Sequence, residues 1–252
     1  MVAPNGARRQ KSDHPALPVT IGETVATARA CFEAGAGGLH AHVRDRDGQH
    51  VLDAGLYREL IVEMATAVPG MLVQITTEAV GRYTPGDQRQ MVRAVTPRAV
   101  SVALREMLPD EGERAASAGF YHWAREAGIA VQHILYDAAD LSALAGWVAA
   151  DVVPAEPLQV LFVLGRYTPG QQSAPADIGP FMARLENGPF DASRIDWALC
   201  AFGPGETDCL VEAVRRGGKA RIGFENSLWN RDGSMAQDNA ERVRELVAVL
   251  GR

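Results

Sequence analysis

Two histidines separated by one residue, His40 and His42, have the spacing of a pair of metal ligands. Small and apolar residues lead up to them and Asp-Arg-Asp-Gly follows, a pattern that predicts a short strand over 37–45. Successive side chains of a strand point to opposite faces, so both imidazoles would project the same way, close enough to hold one metal ion. At the carboxyl end of a strand such a pair is typical of a metal or catalytic site. The alternative is two unrelated histidines, one of them a buried hydrogen-bonding group.

Glu225 is the best third ligand that the sequence offers, because it comes just past the last predicted strand. Two imidazoles and one carboxylate make a three-ligand site with an open position, the form that catalytic zinc takes. Such a metal polarises a carbonyl oxygen as a Lewis acid. Arg221 and Arg8 carry guanidinium groups, whose planar geometry matches a carboxylate. Two plainer interpretations stay open, with Glu225 as an ordinary loop carboxylate and Arg221 as a structural ion-pairing residue.

The elements that must position these residues alternate regularly along the chain, as short apolar stretches typical of strands and amphipathic stretches typical of helices. Strict alternation predicts a parallel sheet, and eight units in a chain of this length predict an α/β fold of the (β/α)8 TIM barrel type. A doubly wound open sheet is the alternative, although no GxGxxG follows the first strand. The predicted strands are 2–4, 37–45, 71–76, 99–103, 129–135, 158–164, 195–201 and 220–224, and the predicted helices are 21–34, 54–67, 85–95, 109–127, 137–147, 176–185, 206–215 and 235–250.

In a TIM barrel the carboxyl ends of the strands form the active face, which gathers residues that are distant in the sequence. If the sheet closes, Glu225 comes to lie opposite the strand of His40 and His42. Other polar residues near strand ends are then candidates for the same site. They are Thr76, Thr77, Ser101, Arg105, Glu106, Gln132, His133 and Arg166. An ordinary structural role is the plainer interpretation for Thr76, Thr77, Ser101 and His133.

Length and composition indicate an ordinary soluble globular protein of 252 residues. We predict one domain over 1–252, since no linker or low-complexity tract divides the chain. A net charge of −6 argues against nucleic acid as the main partner. No apolar run has the length that crosses a bilayer and the first residues lack an apolar signal core, so no membrane partner is expected. The three cysteines show no CxxC spacing and are typical of a reducing cytoplasm.

Several short stretches, spread in order over nearly the whole chain, carry a family pattern. They are PNGA at 4–7, LPVT at 17–20, CFEAGA at 31–36, QITT at 74–77 and QVLFVLG at 159–165, together with HxHxR at 40–44 and RxGxE at 221–225. The last two motifs are specific in combination, whereas either alone is weak. With these stretches the chain resembles the β-keto acid cleavage enzymes.

The resemblance implies a zinc-dependent (β/α)8 barrel that condenses a β-keto acid with acetyl-CoA, giving acetoacetate and a shorter acyl-CoA. His40, His42 and Glu225 match the zinc ligands of that family. The resemblance also implies a homo-oligomer, either a dimer or a tetramer. Two other function classes stay open: a metal-dependent lyase, aldolase or hydrolase on the same barrel that needs no CoA, and a barrel that binds an acid or sugar without catalysis.

The same resemblance assigns three residues to the substrate. Thr76 falls where the family has a substrate-binding Ser, and Ser101 falls where it has a substrate-binding Thr. Arg8 stands where the best-known member has a Glu that binds the amino group of its substrate. Because the charge is reversed, we expect a substrate without an amino group, either anionic or neutral.

The residues for proton transfer depart from the family pattern. Arg221 matches the arginine of a catalytic Arg–Asp pair, but Asn226 stands where the well-known member has the Asp. An amide cannot take up a proton at neutral pH, so another group must serve or the reaction must differ. Glu106, which follows the strand of Ser101, is the candidate for a relocated base.

Overall fold

The computed structural model describes residues 1–188 and 194–251, and a parallel sheet of seven strands lies at its centre. The strands are hydrogen-bonded in the order in which they follow one another in the chain, as expected when each strand is followed by a helical crossover. They are β1 (Gly38–Ala41), β2 (Leu72–Thr76), β3 (Ala99–Ala103), β4 (Ala130–Leu135), β5 (Leu158–Leu164), β6 (Ile195–Ala201) and β7 (Lys219–Ala220).

The first residues of the chain close this sheet. Val2 forms parallel bridges to Leu39 of β1 and to Ile222, just past β7. The amide of His40 donates to the carbonyl of Val2, and the amide of Ala3 donates to the carbonyl of Ile222, both at 2.8 Å. Val2 therefore occupies the eighth strand position, and the curled sheet with its alternating helices confirms the predicted (β/α)8 barrel.

Helices follow the strands and most begin at a side-chain cap. Thr20 and Thr84 each accept a hydrogen bond from the third helical residue, whose carboxylate binds back to the cap. The helices are α1 (Ile21–Glu33), α2 (Ala54–Ala67), α3 (Pro85–Val95), α4 (Leu104–Met107), α5 (Arg114–Glu126), α6 (Ala138–Ala149), α7 (Gly179–Asn187), α8 (Glu206–Arg215) and α9 (Asn239–Val249), with 3-10 turns at Glu111–Glu113, Pro169–Gln171 and Pro175–Ile178. Among the described residues, no helix is both long and apolar enough to cross a membrane.

The two largest differences from the predicted helix boundaries are at helix starts. The helix predicted over 235–250 begins at 239, because Asp238 is extended and its side chain caps the helix by accepting from the amide of Glu241. The helix predicted over 109–127 begins only after Asp110, which is also extended and caps a short 3-10 turn before α5 starts at Arg114. In both places an aspartate side chain competes with the backbone for amide protons and starts a new helical segment.

The barrel interior is divided into an apolar part and a polar part. The apolar part comes from β3 to β6 and the residue after β6. Polar side chains fill the other part, which belongs to β1, β2 and the chain around and after β7. The apolar cluster consists of Ala103, Ile134, Leu161, Val163, Ala198, Cys200 and Phe202, and the buried polar residues on the opposite side include His40, His42, Gln74, Thr76 and Arg221. Any chemistry of the barrel is therefore concentrated where the closing strand meets β1.

Candidate metal centre

His40, His42 and Glu225 converge on one point inside the barrel. The Nε2 atoms of His40 and His42 are 3.3 Å apart, and Oε2 of Glu225 lies 3.5 Å from the first and 3.6 Å from the second. Both imidazoles are buried. These three atoms come from β1 and from the chain just beyond β7, which barrel closure makes neighbours. The predicted trio is thus assembled with one ligand atom from each residue in reach of a single ion.

The protonation states of the three side chains suit metal binding. Burial, reinforced by the nearby Arg221 guanidinium, lowers the pKa of His40 to about 4. Burial also lowers the pKa of His42 to about 3. For Glu225 burial alone would raise the pKa, but the charge of Arg221 and the two histidines hold it well below its usual value. Near neutral pH the site therefore offers two neutral imidazoles and one carboxylate, the forms that coordinate metals.

The spacing of the ligand atoms fits a metal ion better than it fits a hydrogen-bond network. Oε2 of Glu225 is buried and has no hydrogen-bond partner among the described residues, which is costly for a carboxylate oxygen unless a cation approaches it. Tetrahedral ligands about 2.0–2.1 Å from a zinc ion lie roughly 3.3 Å from one another. The separation of the two Nε2 atoms agrees with this geometry. The residues present therefore fit a zinc ion.

A second layer of side chains orients the histidines. Nδ1 of His40 donates to Oε1 of Gln74 at 2.8 Å, which leaves Nε2 of His40 free to offer its lone pair. The Nε2 amide of Gln74 donates to Oε1 of Gln132 at 3.2 Å, which satisfies the other end of the Gln74 side chain. Nδ1 of His42 lies 3.4 Å from Nδ1 of His50. Such outer contacts set the tautomer and the ring orientation of a metal-binding histidine.

Glycines and a buried carboxylate place Glu225. Gly6 has a φ of +60°, and a Cβ atom there would lie 2.6 Å from Cγ of Glu225. Only glycine therefore allows these two segments of the chain to pass so closely. Gly223 has a φ of +142°, and its amide donates to the buried carboxylate of Glu206 at 3.2 Å. The amide of Glu225 itself donates to the carbonyl of Ala3 at 3.0 Å. The candidate ligand Glu225 is thereby tied to the segment that closes the barrel.

Arg221 lies next to the trio and is only partly satisfied. One of its nitrogens, Nη2, donates to Oε1 of Glu225 at 2.9 Å and to Sγ of Cys200 at 3.3 Å. Its Nε and Nη1 atoms are buried and have no partner among the described residues. A buried guanidinium with free donors binds anions strongly, so Arg221 can bind an anionic group that enters beside the trio.

Two adjoining cavities open on the trio at the carboxyl ends of the strands. The inner one is lined by the trio, Arg221, Thr76, Glu78, Tyr136 and Arg166 with apolar neighbours, and the outer one is lined by the segment 5–9, Glu78, Arg166, Gln171, Phe202 and Glu225. A larger cavity of about 240 Å³ lies elsewhere, beside Tyr121 and His133, but its lining contains no member of the trio. The chemistry of the side chains therefore identifies the smaller cavities as the site.

The structure brings some predicted residues to these cavities and leaves others outside the linings. Thr76 lines the inner cavity and Arg8 lines the outer one. Ser101 is fully buried beyond the lining, with no partner for its hydroxyl among the described residues. Glu106 accepts a hydrogen bond from the amide of Ala79 at 2.9 Å and lines neither cavity.

Asn226 is also outside the two linings. Its side chain is fully buried, and neither atom of its amide has a hydrogen-bond partner among the described residues. His133, another residue near a strand end, faces α5, where its ring lies 5.2 Å from that of Tyr121. The residue at the family's Asp position therefore has no contact with the cavities that open on the trio.

Glu78 is a site residue that the sequence reasoning missed. Its Oε2 atom lies 3.9 Å from Nε2 of His42 and its Oε1 atom lies 3.7 Å from Arg166. Burial, followed by the charge of Glu225, raises the pKa of Glu78 to about 7. The available signal was its position two residues past the end of β2, in the turn next to Thr76, whose hydroxyl accepts from the amide of Glu78.

Comparison with known proteins identifies one family for this chain. The sequence model of a family described as beta-keto acid cleavage enzyme matches residues 1–252. A 3-keto-5-aminohexanoate cleavage enzyme of Fusobacterium nucleatum is 25% identical over 98% of this chain and 90% of that protein. A 3-oxoadipate:acetyl-CoA acetyltransferase of Cupriavidus necator is 32% identical over 40% of this chain and 35% of that protein.

Solved structures agree on the fold. ObcA, in a ternary complex with a C4-CoA adduct and oxalate, superimposes with a TM-score of 0.72 at 16% identity, covering 94% of this chain and 64% of that chain. A type I 3-dehydroquinate dehydratase of Clostridium difficile gives a TM-score of 0.64 at 10% identity, covering 99% and 90% of the two chains. At such identities the likeness shows the barrel alone.

Proposed function

This chain belongs to the β-keto acid cleavage enzyme family, and from that membership we propose that it is a zinc-dependent transferase that condenses a β-keto acid with acetyl-CoA to give acetoacetate and an acyl-CoA. The observation that carries the proposal is the convergence of His40, His42 and Glu225 beside the free donors of Arg221. The printed names of relatives, among them a 3-oxoadipate:acetyl-CoA acetyltransferase and a 3,5-dioxohexanoate:acetyl-CoA acetone transferase, support acetyl-CoA as the second substrate.

The proposed reaction balances without any further reagent. C2 of the β-keto acid gives up a proton and attacks the thioester carbonyl of acetyl-CoA, so that a carbon–carbon bond forms and CoA thiolate leaves. The thiolate then adds to the C3 carbonyl, and the C2–C3 bond breaks. The products are an acyl-CoA and the carbanion of acetoacetate, which takes the proton back. No electron donor or acceptor enters the sequence.

The residues of the inner cavity divide this chemistry between them. His40, His42 and Glu225 would hold the zinc ion, which supplies Lewis-acid polarisation of a carbonyl oxygen. Arg221 would stabilise negative charge that develops on a substrate oxygen, through Nε and Nη1, which are buried and unpaired in the described part of the chain. Preorganised donors in a site that excludes water are usually a large catalytic contribution. Thr76, which lines the inner cavity, would contact the bound acid.

Glu78 is the group that we assign to the proton at C2. Asn226 cannot take up a proton, and its amide lines neither cavity. The carboxylate of Glu106 is already engaged by the amide of Ala79. Glu78 lines both cavities, next to His42. A general base must be within reach of the proton that it abstracts, and this geometry supports Glu78 in place of Glu106, which the sequence suggested.

The substrate is proposed to lack an amino group, because Arg8 lines the outer cavity at the position that resembles an amino-binding Glu. A guanidinium there would repel an ammonium group and attract an anion. The role of Ser101 as a substrate-binding residue stays a prediction, as do the homo-oligomeric state, the cytoplasmic location and the single domain over 1–252.

The test is an assay of zinc-loaded protein with a panel of β-keto acids, with and without acetyl-CoA labelled in its acetyl group. We expect an acyl-CoA and acetoacetate that carries the label, both only when acetyl-CoA is present. Cleavage that proceeds equally without acetyl-CoA would show a lyase, an aldolase or a hydrolase on the same barrel. No acyl-CoA from any acid of the panel would overturn the proposal.

A further inference from the structure

Three arginine side chains, those of Arg8, Arg9 and Arg166, line the outer cavity. Within the described residues, none of their guanidinium groups donates a hydrogen bond to another residue, and the one carboxylate within 4.0 Å of any of them is that of Glu78. Other arginines near the barrel ends, such as Arg105, are paired with carboxylates. The lining also contains two carboxylates, those of Glu78 and Glu225, so the cavity that leads to the metal centre carries an excess of positive charge.

Arg166 is the most informative of the three because little of it is exposed. Its side chain is 17% exposed, and its closest carboxylate oxygen, Oε1 of Glu78, is 3.7 Å away, beyond hydrogen-bond distance. The guanidinium carbon lies 5.3 Å from the centre of the Phe202 ring and 5.8 Å from that of Tyr167. These aromatic contacts hold the planar group in place while its N–H edges stay free. Its donors have no hydrogen-bond partner among the described residues, so this mostly buried guanidinium can bind an anionic acceptor that enters the cavity.

The position of Arg166 indicates that the reacting keto acid carries this acceptor. Arg166 lines both cavities, and Glu78 lies between it and the metal centre, in contact with Arg166 at one oxygen and with His42 at the other. A carbon chain that begins at the metal centre therefore reaches the guanidinium within a few bonds. Arg8, at the rim of the outer cavity, can approach the same group from the solvent side.

We propose that Arg166, assisted by Arg8, binds a second carboxylate at the far end of the keto acid, so that the enzyme prefers dicarboxylic β-keto acids. This inference rests on the proposed function and specifies its substrate class. A carboxylate matches the planar fork of a guanidinium and can accept two hydrogen bonds from it. The acyl-CoA product then carries a free carboxylate, so the reaction that consumes this product must act on a dicarboxylic acid monothioester.

A phosphate group of CoA is the other anion that could occupy these arginines. The inner location of Arg166 favours the keto acid, since Arg166 shares its cavity with His40 and Arg221. The CoA phosphates are separated from the thioester by the long pantetheine arm and would lie outside this cavity. If the keto acid carries the anion, removal of the guanidinium raises the KM of the acid. If CoA carries it, removal of the guanidinium raises the KM of acetyl-CoA.

The experiment compares 3-oxoadipate with 3-oxohexanoate, two β-keto acids of equal chain length that differ only in a terminal carboxylate or methyl group. With acetyl-CoA they give succinyl-CoA and butyryl-CoA, respectively. We expect wild-type protein to prefer the diacid at least tenfold in kcat/KM. Arg166→Met should lower kcat/KM for the diacid roughly 10- to 100-fold more than for the monoacid, through the KM of the diacid. Any loss through the neighbouring base Glu78 is common to both acids and cancels in this ratio. The KM of acetyl-CoA should change less than threefold.

Two further variants control for charge and folding. Arg46→Met removes an exposed positive charge near the histidine strand and should leave both acids unaffected. Arg166→Lys keeps the charge but loses the fork, and we expect a smaller loss for the diacid than in Arg166→Met. Equal use of both acids by wild type would overturn the inference, and a raised KM for acetyl-CoA in Arg166→Met would assign the arginines to CoA phosphates instead.

A binding measurement separates this inference from the proposed function. Adipate and hexanoate form the corresponding unreactive pair, and isothermal titration of zinc-loaded protein needs no turnover. We expect adipate to bind at least tenfold more tightly than hexanoate, with the difference lost in Arg166→Met. If no β-keto acid is turned over but this difference is present, the proposed function fails and the dicarboxylate subsite stands. If both acids bind equally, the subsite fails whatever the assay shows.

Discussion

The Nδ1 nitrogen of His40 lies 2.8 Å from the side-chain oxygen of Gln74, the residue directly opposite it on the neighbouring strand. Because the amide oxygen is an acceptor, it holds the proton of His40 on Nδ1 and turns Nε2 towards the other ligands. Outer-layer partners of this kind typically contribute 10- to 100-fold to metal affinity.

We therefore expect Gln74→Leu to weaken zinc binding roughly 10- to 100-fold without changing the number of ions bound at saturation. Competition with a chromophoric chelator measures the affinity. Gln159→Leu is the matched control, since Gln159 also lies on a barrel strand but its amide donates to Asp196, away from the trio. An unchanged affinity in Gln74→Leu would mean that the tautomer of His40 is set without Gln74.

Metal content tests the trio directly. Purified wild-type protein should contain one zinc ion per chain by mass spectrometry, and a chelator should lower its melting temperature, because a ligand that binds only the folded state stabilises it by about 2.7 kcal/mol at 100 times its Kd. His42→Ala should lose most of the zinc and should melt at the same temperature with and without chelator. His122→Ala, on α5 and outside the trio, should behave as wild type. Full zinc content in His42→Ala would rule out this ligand set.

The strand residues of the site could be predicted because two simple rules apply to them. Alternation along a strand puts His40 and His42 on one face, and barrel closure brings Glu225 to them although it is distant in the sequence. Both rules depend only on the order and the period of the residues. The trio follows from them without knowledge of any side-chain contact.

Residues whose role depends on register or on turns could not be predicted. Gln74 faces His40 because β1 and β2 pair in one particular register, which the sequence does not specify. Glu78 leaves β2 in a turn and bends back to the metal centre, where the rule of strand ends no longer orients a side chain. The same limit explains why Glu106 looked suitable as a base, although its carboxylate turns to the amide of Ala79.

Glu78 and Glu106 give a direct comparison for the proton-transfer step. Glu78→Gln keeps the shape of the side chain but removes its basicity, and we expect kcat to fall roughly 10²- to 10⁴-fold, the usual contribution of a general base. Glu106→Gln keeps an oxygen for the amide of Ala79, and the loss of kcat should be far smaller. Steady-state rates with a saturating β-keto acid and acetyl-CoA provide the measurement. A larger loss in Glu106→Gln would assign the base to Glu106.

The cap of α1 should make a stability contribution that depends on pH. Partial burial would raise the pKa of Glu23, but the Lys11 ammonium and the amides of Thr20 and Val19 lower it to about 2. A carboxyl whose pKa is lower in the folded state stabilises the fold above its unfolded pKa, near 4.5, and loses this contribution as the pH falls towards 2.

Glu23→Gln should therefore lower the free energy of unfolding at pH 7 by no more than about 1 kcal/mol, since the pair with Lys11 is well exposed and screened by solvent. The difference from wild type should shrink steadily between pH 4.5 and pH 2. Urea unfolding at several pH values measures it, with Glu33→Gln at the end of α1 as the control. A difference that stays constant down to pH 2 would contradict the lowered pKa.

A buried ion pair between Arg242 and Glu206 supports the segment that carries Glu225. Both side chains are fully buried, and Nη2 of Arg242 donates to Oε2 of Glu206 at 2.9 Å. The other oxygen of Glu206 accepts from the amide of Gly223 at 3.2 Å. Arg242→Met leaves the carboxylate of Glu206 buried without its counter-charge, which typically costs about 3–5 kcal/mol. It also breaks a second ion pair, which Nη1 of Arg242 forms with the half-buried Glu245.

The double variant Arg242→Met with Glu206→Gln removes both charges and keeps an acceptor for Gly223. We expect it to recover more than half of the stability that Arg242→Met loses, since replacing both partners of a buried pair is often nearly neutral. Denaturant unfolding of the zinc-free proteins measures the coupling in a double-mutant cycle. Zinc affinity should follow the same order, because Gly223 lies two residues before Glu225 in the chain. Additive losses in the cycle would show that the pair does not act as a unit and that the segment is held by other contacts.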